Sequence, residues 1–200
     1  MQLSALAKRA WLLLFTAIGG FYLWGLGSLP LVGPDEPRYA EVAREMLARR
    51  DVITPTLGGL PWFEKPPLLY WLMMISYRVL GVNEYAARLG PALCGLLTAG
   101  FVYLIGRCVD EVQQQAHNHE PWQIGRWSAL VWLSSLGAIG FSRGATFDIV
   151  LTMTISAALA CFFVAEVKDR ATVLLLVAFY IFVGLSLLAK GLIGFVIIFA

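Results

Sequence analysis

The chain has 200 residues, of which 59% are hydrophobic and only 14% charged, with a mean hydropathy of +0.73. That composition excludes an ordinary soluble domain and points to an integral membrane protein. The net charge of +2, with no basic block, gives no reason to expect a nucleic-acid partner, and three cysteines (Cys94, Cys108, Cys161) in or beside apolar runs suggest neither a disulfide framework nor a metal site.

Lys8 and Arg9 precede an apolar run at about 10–30. The run is too long for the core of a signal peptide and no small-x-small cleavage pattern follows it, so it reads as an uncleaved first transmembrane helix with its basic end in the cytoplasm. Further spans are predicted at about 87–106, 126–142, 148–166 and 171–189. A last apolar run at 192–200 stops short of the roughly 20 residues that cross a bilayer. The expected fold class is therefore an all-α, polytopic membrane bundle, and the 200 residues read as the N-terminal part of a longer protein.

Residues 31–86 form a loop with structure of its own. Gly33-Pro34-Asp35-Glu36-Pro37-Arg38-Tyr39 places two acids and an arginine directly after the first apolar run. From Pro37 a short helix can start, proline being tolerated in a first turn. Tyr39, Val42, Ala43, Met46 and Leu47 fall on one apolar stripe, with Glu41, Arg44, Glu45 and Arg49 off it. This is the pattern of an amphipathic helix lying on the membrane surface, with Asp35 and Glu36 at its N-terminal end, where one acid can serve simply as a helix cap. Gly58-Gly59-Leu60-Pro61 is a turn signal. Trp62-Phe63-Glu64-Lys65-Pro66-Pro67 then leads into Leu68–Ile75, too short to span and rich in Tyr and Trp, which predicts a second interfacial or re-entrant helix.

The stretch 107–126 is a polar connection, and its His117-x-His119 pair reads as solvated loop rather than metal site, because no acids stand at ligand spacing. With the N-terminus inside, alternation of spans puts the loops at 107–126 and 166–170 in the cytoplasm. The first loop, the 142–148 loop and Lys190-Gly191 then share the outer face. The outer loops carry more Lys and Arg than the inner segments, against the positive-inside tendency. The length of the first loop weakens that objection, and a cationic outer surface suits an anionic lipid headgroup.

One face thus collects the acids Asp35, Glu36, Glu64 and Asp148 and the cations Arg38, Lys65, Arg143 and Lys190. Cations can hold a phosphate leaving group. A carboxylate can orient or deprotonate a nucleophile, or stabilise an oxocarbenium-like centre. The bland alternative is a set of surface ion pairs of little energy, with Arg143 and Asp148 pairing across their short turn and Glu64 and Lys65 serving as interfacial anchors.

Gly33–Leu47 (GPDEPRYAEVAREML) and Phe63–Trp71 (FEKPPLLYW) resemble the first extracytoplasmic loop of the bacterial aminoarabinose lipid A transferases, within the protein O-mannosyltransferase-related type C glycosyltransferases. The loop ending in Asp148 and the Ala189-Lys190-Gly191 stretch also sit where that family has polar residues. The resemblance implies a many-span helical fold in the bacterial inner membrane, N-terminus cytoplasmic and active site periplasmic. It implies transfer of 4-amino-4-deoxy-L-arabinose from an undecaprenyl-phosphate donor to lipid A phosphate groups, an activity tied to resistance to polymyxin and other cationic peptides. It makes Asp35 the central catalytic acid, with Asp148 a second catalytic candidate. Arg38 and Lys65 would contact the donor phosphate, with Glu36, Arg143 and Lys190 as further substrate-binding candidates. Glu64 would bind a divalent metal together with a ligand beyond residue 200; no other cofactor is implied.

Two other readings stand beside this one. A related polyprenyl-phosphate-sugar transferase would act on another sugar or acceptor, as in protein O-mannosylation. A lipid or ion transporter would place its ionisable residues within broken helices, whereas here the spans are nearly free of charge.

Overall fold

The computed structural model describes residues 2–117, 123–167 and 173–200. His119 and the charged turn at 168–170 lie outside the described residues. The elements are α1 (Gln2–Leu23), α2 (Asp35–Arg49), β1 (Thr56–Leu57), β2 (Leu60–Pro61), α3 (Leu68–Leu80), α4 (Glu84–His117), α5 (Ile124–Ser134), α6 (Leu136–Arg143), α7 (Phe147–Val167), α8 (Val173–Lys190) and α9 (Leu192–Phe199). The fold is an all-helical membrane bundle with one small hairpin. Three helices among the described residues are long and apolar enough to cross a membrane, over Glu84–Gln113, Phe147–Val167 and Val173–Lys190. Arg9–Leu23 is a shorter apolar helix.

Local chemistry explains the boundaries. Helix α2 starts two residues before Pro37, which occupies its first turn, and Pro34 stands at the N-cap with no side-chain capping bond. The acids there therefore do not cap by hydrogen bond; they meet the positive end of the helix dipole instead. Helix α2 ends in a left-handed residue, Arg50 (φ 54°), with Arg50 N–H donating to Leu47 O and Asp51 N–H to Met46 O, both at 3.1 Å. Gly58 and Gly59, at φ 62° and 78°, make the two-residue hairpin turn that needs positive φ at both positions. Glu45 fastens this hairpin to α2 by accepting from Thr56 Oγ1 (2.6 Å), Gly58 N–H (2.7 Å) and Gly59 N–H (3.2 Å). Helix α3 follows Pro67, as the double proline predicts.

The stretch read as a single span at 126–142 is two helices. Ser135 breaks it with an extended backbone, its Oγ donating to Trp132 O (2.9 Å) and accepting from Ala138 N–H (3.3 Å).

The stripe of α2 is buried as its spacing predicts: Tyr39, Val42, Ala43 and Met46 pack with Leu69, Tyr70 and Met73 of α3, Ala87 of α4 and Phe147, Ile149 and Val150 of α7 in one core. Met46, Leu69 and Met73 are 0% exposed. Each such side chain removed from water contributes roughly 1.5–3 kcal/mol. The surface helices α2 and α3 are thereby locked onto the starts of α4 and α7.

Candidate active site

Asp35 and Glu36 are neighbours in the chain and face different surroundings. Glu36 is buried. Its Oε2 accepts from Val32 N–H (2.7 Å) and Arg88 Nη2 (2.8 Å), and its Oε1 from Ala145 N–H (2.6 Å) and Arg88 Nε (3.2 Å). Arg88, in the second turn of α4, also donates to Leu26 O (2.7 Å), Leu29 O (2.8 Å) and Pro30 O (2.8 Å). Burial by itself would raise the Glu36 carboxyl pKa; the Arg88 hydrogen bond, the Val32 and Ala145 N–H groups and the Arg88 charge more than offset it, and the net shift is downward. This one pair ties the 26–32 segment, the start of α2, the start of α4 and the 144–146 turn together. It fixes Asp35 at one side of a shallow site and, three residues beyond Ala145, Asp148 at the other.

The remaining acids and cations gather on the exposed side of that junction. Arg38 Nη1 lies 3.2 Å from Glu64 Oε2 and 3.6 Å from Asp35 Oδ1, with its guanidinium 5.7 Å from the Trp62 ring centroid. Lys65 Nζ is 3.8 Å from Glu64 Oε1. Asp148, in the first turn of α7, pairs with Lys190 in the last turn of α8. Each of these two sits at the helix end whose dipole favours its charge. Gly191 (φ 72°) then turns the chain into α9. Phe63, Glu64, Lys65, Lys190, Ile53 and Pro55 line an open groove of about 590 Å³. In the core Tyr39, Tyr70 and Phe147 form an aromatic cluster, with Tyr39–Phe147 centroids at 4.8 Å and Tyr70–Phe147 at 5.4 Å, both edge-on. The Tyr39 hydroxyl pKa is raised by burial and then by the Asp35, Glu64 and Asp148 carboxylates, with Arg38 opposing.

Asp35, Arg38, Glu64, Lys65, Asp148 and Lys190 are thus brought together, although they come from α2, the 62–67 loop, α7 and α8. Glu36 is held in the framework below them. Arg143 lies apart: its Nη1 donates to Phe21 O at 2.5 Å and its guanidinium lies 5.1 Å from the Phe21 ring centroid, anchoring α6 to α1. It does not pair with Asp148 across the short turn; Lys190 holds that acid. Arg88 is not among the residues singled out from the sequence. The available signal was an arginine one turn into a long apolar helix, where an unpaired charge is costly.

No group of three His, Cys, Asp or Glu side chains among the described residues could hold an ion. Glu64 is already engaged by Arg38 and Lys65. These residues alone do not make a metal centre.

Comparison with known proteins bears on the same residues. The profile of the dolichyl-phosphate-mannose-protein mannosyltransferases matches residues 9–200. An undecaprenyl phosphate-alpha-4-amino-4-deoxy-L-arabinose arabinosyl transferase from Yersinia enterocolitica is 32% identical over 171 residues, covering 86% of this chain and 29% of the relative. A second such transferase, from Pseudomonas fluorescens, is 42% identical over 104 residues, 52% of this chain and 18% of the relative. The crystal structure of ArnT from Cupriavidus metallidurans bound to undecaprenyl phosphate superposes with a TM-score of 0.80 at 31% identity, covering 94% of this chain and 34% of that one. The chain therefore spans about a third or less of the length of these relatives. A profile match over almost its whole length places it: the chain belongs to the dolichyl-phosphate-mannose-protein mannosyltransferase family.

Proposed function

We propose that the protein containing this chain is a membrane glycosyltransferase that moves 4-amino-4-deoxy-L-arabinose from an undecaprenyl-phosphate donor to the phosphate groups of lipid A. The observation that carries this is the ion-paired set Asp35, Arg38, Glu64, Lys65, Asp148 and Lys190, of which Glu64, Lys65 and Lys190 line one groove. The names of the arabinosyl transferase relatives and of the undecaprenyl-phosphate-bound neighbour support it. In this reading the N-terminus is cytoplasmic and the groove opens at the periplasmic face of the inner membrane.

The reaction asks two things of these residues. An acceptor phosphate oxygen attacks the anomeric carbon of the sugar, and the bond from that carbon to the donor phosphate oxygen breaks. Undecaprenyl phosphate leaves with the electron pair. Lys65 and Arg38 stabilise the negative charge that builds on the leaving phosphate. Asp35, the more exposed of the two neighbouring acids, stabilises positive charge on the sugar ring or orients its amino group. Asp148 is a second carboxylate, paired with Lys190 of the groove wall. A phosphate acceptor already carries about 1.5 to 2 negative charges at pH 7, so it needs no base.

The family profile favours one alternative, a polyprenyl-phosphate mannose donor with a protein hydroxyl acceptor. In that case Asp35 must act as a general base, because the hydroxyl proton has to leave. Mass spectrometry of lipid A from cells with and without the full-length protein separates the two. Aminoarabinose on phosphate is expected, and unchanged lipid A with newly mannosylated protein would replace the first reading by the second. The topology is checked with a cysteine-free variant carrying Leu60→Cys or Gln113→Cys. An impermeant thiol reagent on spheroplasts should label the former alone, and equal labelling would place the groove on the wrong face.

A further inference from the structure

A second groove, of about 620 Å³, lies between the end of α2 and α3 and is walled by Val52, Trp71, Met74 and Ile75. Its volume is within the roughly 300–1,000 Å³ common for ligand sites. The walls are apolar because the polar atom of Trp71 is used elsewhere, Nε1 donating to Val52 O at 2.7 Å. Two cations, Arg50 and Arg78, stand on its rim. Three other arginines of this region have acid partners: Arg38 pairs with Glu64, Arg44 with Glu41 and Arg49 with Asp51. The guanidinium groups of Arg50 and Arg78 have no hydrogen-bond or ion-pair partner among the described residues. Arg50 moreover occupies a left-handed helix end, φ 54°, where glycine is the ordinary choice.

An apolar trough with two uncompensated guanidiniums at its rim matches one kind of occupant, an acyl chain attached to a phosphodiester. Guanidinium is the side-chain group best suited to phosphate oxygens. Tryptophan and arginine are also the residues expected at the headgroup level, and α3 leads within four residues into the membrane-crossing helix α4. We propose that this groove is a binding site for an anionic glycerophospholipid of the surrounding bilayer, separate from the reaction groove. The two grooves share a wall: Val52 lines the lipid groove, while Ile53 and Pro55 line the reaction groove. A seated lipid therefore steadies the same 50–55 segment that lines the reaction groove.

The test uses the full-length protein in nanodiscs of equal phosphatidylglycerol and phosphatidylcholine, with retained lipid counted by native mass spectrometry and folding followed by thermal midpoint. The wild type is expected to retain phosphatidylglycerol over phosphatidylcholine by about tenfold or more, as two basic groups at a membrane surface would give. Arg50→Gln with Arg78→Gln should bring the two lipids to parity. Ile75→Trp, which fills the trough from an exposed position and leaves both charges, should lower retention of both lipids, and it decides the matter if the double variant does not fold. Parity in the wild type overturns the proposal, as does an undiminished preference in the double variant. Retention untouched by Ile75→Trp would mean that another part of the polypeptide or a second copy fills the trough. Loss of the preference on adding inorganic phosphate alone would make the site one for free phosphate.

Discussion

Asp35 and Glu36 carry the same charge at adjacent positions, yet the Asp35 side chain is 61% exposed and that of Glu36 10%. Glu36 accepts four hydrogen bonds and pairs with a buried arginine at 2.8 Å, whereas the Asp35 contact to Arg38 is a loose 3.6 Å. The first acid is free to meet a substrate; the second holds four chain segments in register. The difference teaches that two adjacent carboxylates divide between an exposed face and the framework according to what surrounds them. Exposed pairs such as Asp35–Arg38 contribute little to stability and can exchange partners when substrate arrives. A buried pair is costly to break, because breaking it leaves one charge in low dielectric.

That contrast can be broken most severely at the framework. Arg88→Ala should destabilise the fold by about 3–5 kcal/mol, since it leaves Glu36 buried and unpaired, and thermal or chemical unfolding of the full-length protein in detergent checks this. A loss no larger than that of a surface substitution would show that Glu36–Arg88 is not the clasp. The same pair gives a pH signature. The folded Glu36 pKa is depressed, so its contribution is present above the ordinary glutamate range and is lost as pH falls through the folded value. Stability should therefore fall on acidification below about pH 4.3, and Glu36→Gln should flatten that limb.

The chemical side is tested next. Asp35→Asn should lower transfer by on the order of 10²–10⁴-fold, the usual range for a catalytic carboxylate, with the thermal midpoint unchanged. An acidic limb in the pH–rate profile that vanishes in this variant marks base catalysis and favours a hydroxyl acceptor. A limb that survives belongs to the acceptor phosphate. Near-full activity in Asp35→Asn would remove Asp35 from the reaction. Lys65→Ala should cost about 10- to 100-fold in turnover, the equivalent of one charge-assisted contact of about 1.5–3 kcal/mol, with partial recovery in Lys65→Arg. Wild-type turnover in Lys65→Ala would leave it an interfacial anchor. The smallest effect is expected at Arg44, whose pair with Glu41 is exposed on α2 away from the groove. Arg44→Ala should leave both activity and thermal midpoint at wild-type values, and a loss of activity there would extend the site beyond the groove.

The sequence alone determined what depends on local pattern. Composition required a membrane bundle, the spacing of Tyr39, Val42, Ala43 and Met46 required an amphipathic helix with that face buried, and Gly58-Gly59 required a tight turn. These follow because solvent partition and backbone sterics act over a few residues at a time. The grouping of Asp35, Glu64, Asp148 and Lys190 was foreseen only as a shared membrane face. Which acid meets which cation was decided by packing: Arg143 turned to Phe21, Lys190 to Asp148, and Glu36 to Arg88, 52 residues away. The break at Ser135 within an apolar run was likewise invisible to hydropathy, because it rests on one hydroxyl that satisfies two backbone groups. A charge in a sequence carries no mark of its burial. Only when α2, α4 and the 144–146 turn close on one another does the desolvation cost arise that makes one glutamate a clasp and leaves its neighbour exposed.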